Sequence, residues 1–176
     1  MANPLWAPWR IEYILSPKDR SRGCVFCGVA EASADELRAR HVVCVTESAF
    51  VVLNRYPFAS GHLLVVPHAH VDAVEALDDT AYDALFRLLR ESVVRVKRAF
   101  KPEGLNVGLN LGAVAGAGIA EHAHAHVVPR WSGDTNFMPV LADVRVVPQA
   151  LDATLDHLAP HFADVPGRVR GPAACP

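Results

Sequence analysis

Three histidines at alternate positions are the residues of this chain best placed to do chemistry. His122, His124 and His126 are separated by single alanines. That is the side-chain period of a β-strand, so on a strand their imidazoles would share one face. Imidazoles so arranged can bind a metal, move protons, or attack phosphorus as a neutral nitrogen nucleophile. The alternatives are ordinary core or surface histidines, or an expression tag, and a tag belongs at a terminus.

A glycine-rich stretch precedes the three histidines. Residues 106–110 form a β-like run, and a loop rich in glycine then leads from residue 111 to Gly118. Glycines let backbone N–H groups approach a phosphate closely, although such loops are also ordinary connections between strands. Beside the histidines, the loop predicts a cradle for phosphate oxygens while a histidine attacks the phosphorus, as nucleotidyl transfer requires.

The run His122-Ala-His124-Ala-His126-Val-Val resembles the signature of the histidine triad (HIT) family, nucleotide hydrolases and transferases with His-x-His-x-His followed by two apolar residues. Residues 53–67 and 128–138 also resemble that family, and the resemblance covers roughly residues 5–160. The opening Trp6-Ala-Pro-Trp9-Arg10 and the segment 53–67 are most similar to the branch that contains diadenosine tetraphosphate phosphorylases and hydrolases.

The resemblance implies that His124 is the nucleophile. It would attack the α-phosphorus of a nucleotide and form a covalent nucleotidyl-histidine, which water or phosphate then releases. The middle position suits this role, because neighbours on both sides can fix one ring nitrogen as a donor and leave the other free to attack. The resemblance also assigns polar neighbours of that ring to His126 and His62, ribose binding to Asn54, contact with the bridging or leaving phosphate to Asn110, and the phosphate cradle to Gly116 and Gly118.

One loop position departs from the family pattern. Many family members carry Gln-Ser, Gln-Thr or Gly-Ser just before the triad, whereas this chain has Ala117-Gly118-Ile119. These three residues offer no hydroxyl that could hold phosphate or protonate a leaving group. Holding the phosphate would therefore fall to backbone donors.

A second constellation is Cys24-Val-Phe-Cys27. Its two-residue spacing lets both sulfurs reach one metal ion from a tight turn, and zinc, which usually takes four ligands, could recruit histidines to complete the set. A redox pair and two unpaired buried thiols are the alternatives, and no thioredoxin-like pattern surrounds the pair.

Resemblance selects the remaining zinc ligands. Related triad proteins and the similar galactose phosphate uridylyltransferases use a histidine shortly after a Val-Val-Pro strand and the first histidine of the triad. Here those are His70 and His122, with His68 and His41 as competitors. Four protein ligands leave no open position, so we expect the zinc to be structural.

Length and composition predict one domain over residues 1–165, with an N-terminal zinc-binding arm, and a C-terminal tail over residues 166–176. The chain of 176 residues is 51% hydrophobic, enough for a core without covalent staples. A net charge of −2 gives no excess of positive charge that would attract nucleic acid or an anionic membrane.

Four cysteines, two of them in a metal spacing, argue against a disulfide framework. No signal peptide or membrane span is evident, so we expect a cytoplasmic location.

The elements predict an α+β fold, an antiparallel sheet of about five strands with one long helix on a face. The helix is expected at Asp79–Phe100, capped by Asp79, with a short helix near residues 150–158. The strands are expected at residues 41–46, 50–54, 62–67, 105–110 and in the triad segment, with a further β-like run at 144–147. The basic helix residues are expected to form a solvated surface: Arg87, Arg90, Arg95, Lys97 and Arg98. Family resemblance adds a homodimer with sheets joined edge to edge.

Three functions fit these features. The favoured one is an enzyme that splits a nucleotide phosphoanhydride, by hydrolysing or phosphorolysing dinucleoside polyphosphates. The others are a nucleoside phosphoramidase and a nucleotide-binding regulatory protein with little turnover. An intact His124 favours the enzymes.

Overall fold

A computed structural model describes residues 23–134 and 149–173 of the chain. The N-terminal arm around Trp6 and Trp9, residues 136–138 and the β-like run at 144–147 lie outside the described residues. None of the helices in the described ranges is long and apolar enough to cross a membrane.

Six strands form one antiparallel sheet in the order β4-β5-β3-β2-β1-β6. The strands are β1 (Val42–Thr46), β2 (Ala49–Leu53), β3 (Leu63–Pro67), β4 (Gly104–Leu109), β5 (Ala125–Arg130) and β6 (Arg168–Arg170). Within the described ranges, three α-helices accompany them, namely α1 (Ala34–Ala39), α2 (Asp79–Phe100) and α3 (Leu151–Leu158). The α+β class and the antiparallel sheet are confirmed, with six strands rather than about five.

The sixth strand comes from the segment expected to be a tail. β6 pairs with β1 through Arg170 opposite Val45 and Arg168 opposite Thr46, with an irregular register. Its Arg-Val-Arg sequence contains a single apolar residue, and Val169 is half exposed. Three residues are too short a run for alternation of polar and apolar residues to predict a strand.

Strand residues alternate between two apolar clusters, one on each face of the sheet. On one face the sheet packs against α2 and α3, and this cluster includes Val51, Leu63, Val65, Ala125 and Val127. On the other face the sheet packs against the N-terminal turn and α1, and this cluster includes Phe26, Leu37, Phe50, Leu64 and Val66. Apolar residues in consecutive positions are therefore all buried, because both faces of the sheet are covered.

Helix α2 has the predicted bounds, but its cap differs from the prediction. Asp78, not Asp79, is the N-cap residue, and its Oδ1 accepts a hydrogen bond of 2.8 Å from the Ala81 N–H. The prediction of Asp79 as the cap is thus wrong by one residue. An Asp-Asp pair offers two adjacent caps, and only the backbone register decides between them.

Arg95 corrects the expectation of a fully solvated basic surface on α2. It is 3% exposed, and its guanidinium donates to the carbonyl of His161 and to Asp164. Arg87 and Arg90 are exposed as expected, with about three quarters of each side chain in solvent. Arg95 therefore attaches the segment after α3 to the long helix instead of facing solvent.

Candidate functional site

The three histidines lie where the chain enters β5. Only His126 is within the strand, because β5 begins at Ala125, and His122 and His124 lie in the segment leading into it. The ring centroids of His124 and His126 are 5.0 Å apart. Phe26, which belongs to the apolar cluster opposite α2, contacts the rings of both His122 and His124. The histidines therefore face away from α2, while Ala125 and Val127 point into the core beneath it.

Hydrogen bonding fixes the tautomer of His124. Its Nδ1 lies 2.8 Å from the main-chain carbonyl oxygen of His122. A carbonyl oxygen only accepts, so Nδ1 must carry the hydrogen and donate it. In the neutral ring, Nε2 then keeps its lone pair, which is the state a nitrogen nucleophile needs.

His62 and His126 form a directed chain of hydrogen bonds. The Phe58 N–H donates to His62 Nδ1 at 3.1 Å, so the hydrogen of His62 is on Nε2. His62 Nε2 then donates to His126 Nδ1 at 3.0 Å. This places the hydrogen of His126 on Nε2, which is buried and has no hydrogen-bond partner among the described residues. This series of hydrogen bonds therefore ends in an Nε2–H donor of His126 that no described residue accepts from.

Burial keeps these imidazoles neutral. Desolvation lowers the pKa of His124, with smaller opposing effects from its hydrogen bond to the His122 carbonyl and from Glu121. Desolvation, with the neighbouring His124, lowers the pKa of His126 to about 4. Removing a charged imidazolium from water is costly, so both rings stay uncharged at neutral pH.

The lowered pKa of His126 predicts a pH dependence of stability. The unfolded chain takes up a proton near the ordinary histidine pKa of 6.5, whereas folded His126 does so only near 4. Between these values the unfolded state binds more protons, so stability falls as the pH falls from 6.5 towards 4. We expect the free energy of unfolding to fall less between pH 7 and pH 5 in His126→Asn than in the wild type, by about 1 to 2 kcal/mol after allowance for partial solvent screening. Urea unfolding at the two pH values measures this free energy. An equal fall in both proteins would contradict the prediction.

A cleft of about 360 Å³ lies beside His126, and one more of the predicted site residues lines it. Asn110 lines the cleft together with Phe58 and Arg130. Asn54 lies on the other side of His62, with its Nδ2 3.4 Å from both imidazole nitrogens and its Oδ1 accepting from the Tyr56 N–H. Asn54, predicted to bind ribose, and Asn110, predicted to contact the bridging or leaving phosphate, therefore both lie near the His62–His126 pair.

The glycine loop adopts a turn of its own. Gly116 has a φ of 91°, in the region that favours glycine, and its N–H donates to the carbonyl of Ala113 at 3.0 Å. Neither Gly116 nor Gly118 lines the cleft beside His126. A cradle for phosphate at these two positions stays a prediction.

Two residues of the cleft had no role in the sequence interpretation. Phe58 stacks on His62, with ring centroids 4.9 Å apart, and 57% of it is exposed. Arg130 forms a forked pair with Asp134 and also donates to Asn106 Oδ1 at 3.0 Å. Phe58 lies in the segment between Asn54 and His62, and Arg130 ends the triad strand. Their closeness to assigned residues was the only signal available from the sequence.

A second cluster gathers the four predicted metal ligands. The ligand atoms of Cys24, Cys27, His70 and His122 all lie within 4.8 Å of one another. Cys24 Sγ is 3.4 Å from His122 Nδ1, and Cys27 Sγ is 3.3 Å from His70 Nδ1. A tetrahedral zinc with ordinary Zn–S and Zn–N bonds separates its sulfur and nitrogen ligands by about 3.5 Å. The donor set and its spacing therefore fit zinc.

The surroundings prepare His122 for a metal. Its Nε2 donates to the carbonyl oxygen of Pro67 at 2.9 Å, which leaves the lone pair on Nδ1, the atom nearest Cys24. Such an outer hydrogen bond is the usual partner of a metal-bound imidazole. Arg40 supports the cysteine turn by donating to the carbonyls of Val25 and Cys27.

The competing histidines bond elsewhere. His68 Nε2 donates to the Thr46 carbonyl at 3.0 Å, and its ring stacks on Phe50. His41 pairs with Asp152 across the surface. Within the described part of the chain, only the four residues above form a group with metal-ligand spacing.

Comparison with known proteins gives the family. Residues 37–133 match the HIT domain, more than half of the chain. The chain belongs to the HIT family. This HIT chain is 38% identical to a protein of Mycobacterium tuberculosis named AP-4-A phosphorylase, over 92% of the chain and 85% of that protein. It is 28% identical to the asymmetrical bis(5'-nucleosyl)-tetraphosphatase of Schizosaccharomyces pombe, over 51% of the chain and 48% of that protein.

Solved structures confirm the fold of this HIT chain. A zinc-bound histidine triad family protein from Mycobacterium smegmatis superposes with a TM-score of 0.63 at 24% identity. The superposition covers 81% of this chain and 95% of that one. The expected HIT-like sheet is therefore confirmed.

Proposed function

We propose that this HIT-family enzyme splits dinucleoside polyphosphates by phosphorolysis, through a covalent nucleotidyl intermediate on His124. The observation that carries the proposal is the hydrogen bond from His124 Nδ1 to the His122 carbonyl, because it leaves the lone pair of Nε2 available for attack on phosphorus. The enzyme class follows from the relatives, which are named as a phosphorylase and a tetraphosphatase.

The proposed reaction has two displacements at one phosphorus. His124 Nε2 forms a bond to the α-phosphorus of diadenosine tetraphosphate while the bond to the bridging oxygen breaks, so that ATP leaves as the anion. Inorganic phosphate then attacks the same phosphorus through an anionic oxygen and breaks the phosphorus–nitrogen bond. ADP is released, and His124 returns to its neutral state. Each step replaces one bond to phosphorus with another, as nucleophilic catalysis requires.

The remaining site residues would position the substrate. His126 lines the cleft, and its Nε2–H has no partner among the described residues, so we propose that a phosphate oxygen accepts from it, with His62 holding the ring. Asn110 lines the same cleft and would contact the leaving phosphate. Asn54 would bind the ribose, and backbone N–H groups near Gly116 and Gly118 would hold phosphate oxygens. These assignments come from family resemblance, and the closeness of Asn54 and Asn110 to the His62–His126 pair supports them.

We also propose that Cys24, Cys27, His70 and His122 hold a structural zinc. The support is the arrangement of two sulfurs and two Nδ1 atoms at tetrahedral spacing, with His122 already oriented by Pro67. The solved relative from Mycobacterium smegmatis is described as zinc-bound. Zinc with four protein ligands would tie the N-terminal turn to the sheet and leave no position for a substrate.

A homodimer is the last part of the proposal. β4 is an edge strand of the sheet and is largely exposed along its length, with Val107 at 47%. An exposed edge with apolar residues suits pairing with the same edge of a second copy. Sedimentation equilibrium would test it, since a protein that stays at the mass of one chain at micromolar concentration would contradict it.

Product analysis tests the reaction. We expect diadenosine tetraphosphate with inorganic phosphate to give ADP and ATP in equal amounts, with no cleavage when phosphate is omitted. The reason is that phosphate, not water, is proposed to release the nucleotide. AMP plus ATP without phosphate consumption would instead show an asymmetrical hydrolase. Cleavage only of adenosine phosphoramidate would favour a phosphoramidase, and binding of AMP without any turnover would favour a regulatory protein.

A further inference from the structure

Phe26 occupies an unusual position between the two clusters of the site. It lies inside the Cys24–Cys27 turn, and its backbone N–H donates to Cys24 Sγ at 3.4 Å. Its side chain is only 7% exposed and packs into the apolar cluster opposite α2. The turn that carries two metal ligands therefore directs a rigid aromatic ring at the sheet.

That ring meets two histidines with different roles. Its centroid is 5.4 Å from the ring centroid of His122, in an edge-on arrangement, and 5.3 Å from that of His124, in a tilted one. Aromatic pairs at these separations prefer such edge contacts and resist rotation out of them. Phe26 thus limits the rotation of the His124 ring from the side of the metal turn.

A second constraint on His124 is its hydrogen bond to the backbone of His122. The carbonyl of His122 holds His124 Nδ1, and the ring of His122 is itself fixed between Cys24 and Pro67. Two of the contacts that orient His124 therefore involve the Cys24–Cys27 turn, the carbonyl through the ring of His122 and the aromatic contact through Phe26, while the ring of His126 contacts His124 from outside the turn. None of the four cluster residues needs to touch a substrate for this to affect the reaction.

We propose that Phe26 is a positioning residue for His124, holding its ring so that Nε2 is aimed at the α-phosphorus. This rests on the proposed function of His124 as the nucleophile. It gives the metal turn a part in the chemical step in addition to its part in stability. A displaced nucleophile costs rate far more than it costs binding, because in-line attack tolerates little error in position.

Kinetics of Phe26→Ala test the proposal. We expect kcat to fall about 10- to 100-fold while KM stays within about twofold. Phe26→Leu, which restores apolar bulk, should recover part of the loss. Two variants serve as controls. Val25→Ala changes an exposed residue of the same turn, and Leu37→Ala removes bulk from the same apolar cluster. Both should keep kcat within about twofold of the wild type.

A second readout does not depend on turnover. In the zinc-loaded wild type, long-range proton–nitrogen NMR spectra of the imidazoles should show a single His124 tautomer with the hydrogen on Nδ1, identified by its loss in His124→Ala. In zinc-loaded Phe26→Ala we expect a mixture of tautomers or a broadened signal.

The outcomes separate this proposal from the proposed function. A Phe26→Ala protein with unchanged kcat and an unchanged His124 signal would overturn the positioning role. So would a loss of kcat no larger than that of Leu37→Ala, or a loss of zinc together with activity, since the ring would then serve only the turn. If the wild type cleaves no nucleotide but the His124 signal still changes in Phe26→Ala, the role of His124 as nucleophile is rejected. The contact by which Phe26 positions His124 is then kept.

Discussion

His124→Ala should lower kcat for diadenosine tetraphosphate by about 10⁴-fold or more, because it removes the nitrogen that forms the covalent intermediate. Binding should persist, since the cleft residues Asn110 and His126 remain in place. Steady-state kinetics and equilibrium binding of AMP measure the two effects separately. His124→Asn, which keeps a polar side chain that can bond the His122 carbonyl, should be equally inactive and so exclude a loss of packing as the cause.

The intermediate itself can be detected. Mass spectrometry of acid-sensitive adducts in rapidly quenched wild type should show an adenylyl group on His124. His126→Ala should retain the adduct at a slower rate, because His126 is proposed only to donate a hydrogen bond from Nε2. Wild-type turnover in His124→Ala, or an adduct on His122 or His62, would reject the assignment.

Loss of the metal ligands should have the largest effect on stability. Purified protein should contain about one zinc per chain, and Cys24→Ser with Cys27→Ser should remove it. Zinc that binds only the folded state stabilises it by about 3 to 4 kcal/mol when free zinc exceeds Kd by 100- to 1,000-fold. The double variant should therefore unfold at a clearly lower urea concentration.

His68→Gln is the matched control for zinc binding. His68 is only two residues from His70 and bonds the Thr46 carbonyl instead of facing the cluster. It should keep its zinc, as measured by atomic emission after reducing purification. Stoichiometric zinc that survives the double cysteine change would place the ion elsewhere, and zinc absent from the wild type would remove the site.

Local sequence patterns predicted the strands and the helix that carry the site. Contacts between residues far apart in the sequence could not be predicted in this way. The alternation of His122, His124 and His126 with alanine predicted which side chains face the core, since Ala125 is buried beneath α2. The same pattern did not show that β5 starts only at Ala125. Backbone pairing, not side-chain type, decides where a strand begins.

Residue spacing alone did not decide which histidines complete the metal site. His68 and His70 follow the same strand, and only resemblance preferred His70. The structure supports that preference because the backbone after Pro67 turns His68 towards Thr46 and Phe50, while His70 reaches Cys27. Such a difference depends on the path of a loop that sequence periodicity does not describe.

The burial of Arg95 is a second feature that the local sequence could not predict. Arg95 has the sequence context of a solvated helix residue, and it does pair with Glu91 on the same helix. Its other two partners, His161 and Asp164, are 66 and 69 positions away. No window of helical length contains them. Its burial could only be recognised once the C-terminal segment was placed against α2.

The position of β5 between β3 and β4 has a consequence for how the enzyme acquires its activity. His62 and His126 form one hydrogen-bonded pair although 64 residues separate them. Closing a loop of that length carries an entropic cost, so we expect this contact to form only with the pairing of β3 and β5. The neighbouring strands β1, β2 and β3 precede α2 in the chain, but they supply only His62 and Asn54 to the site. We therefore expect the chain to stay inactive during its synthesis until β5 has emerged and inserted between β3 and β4.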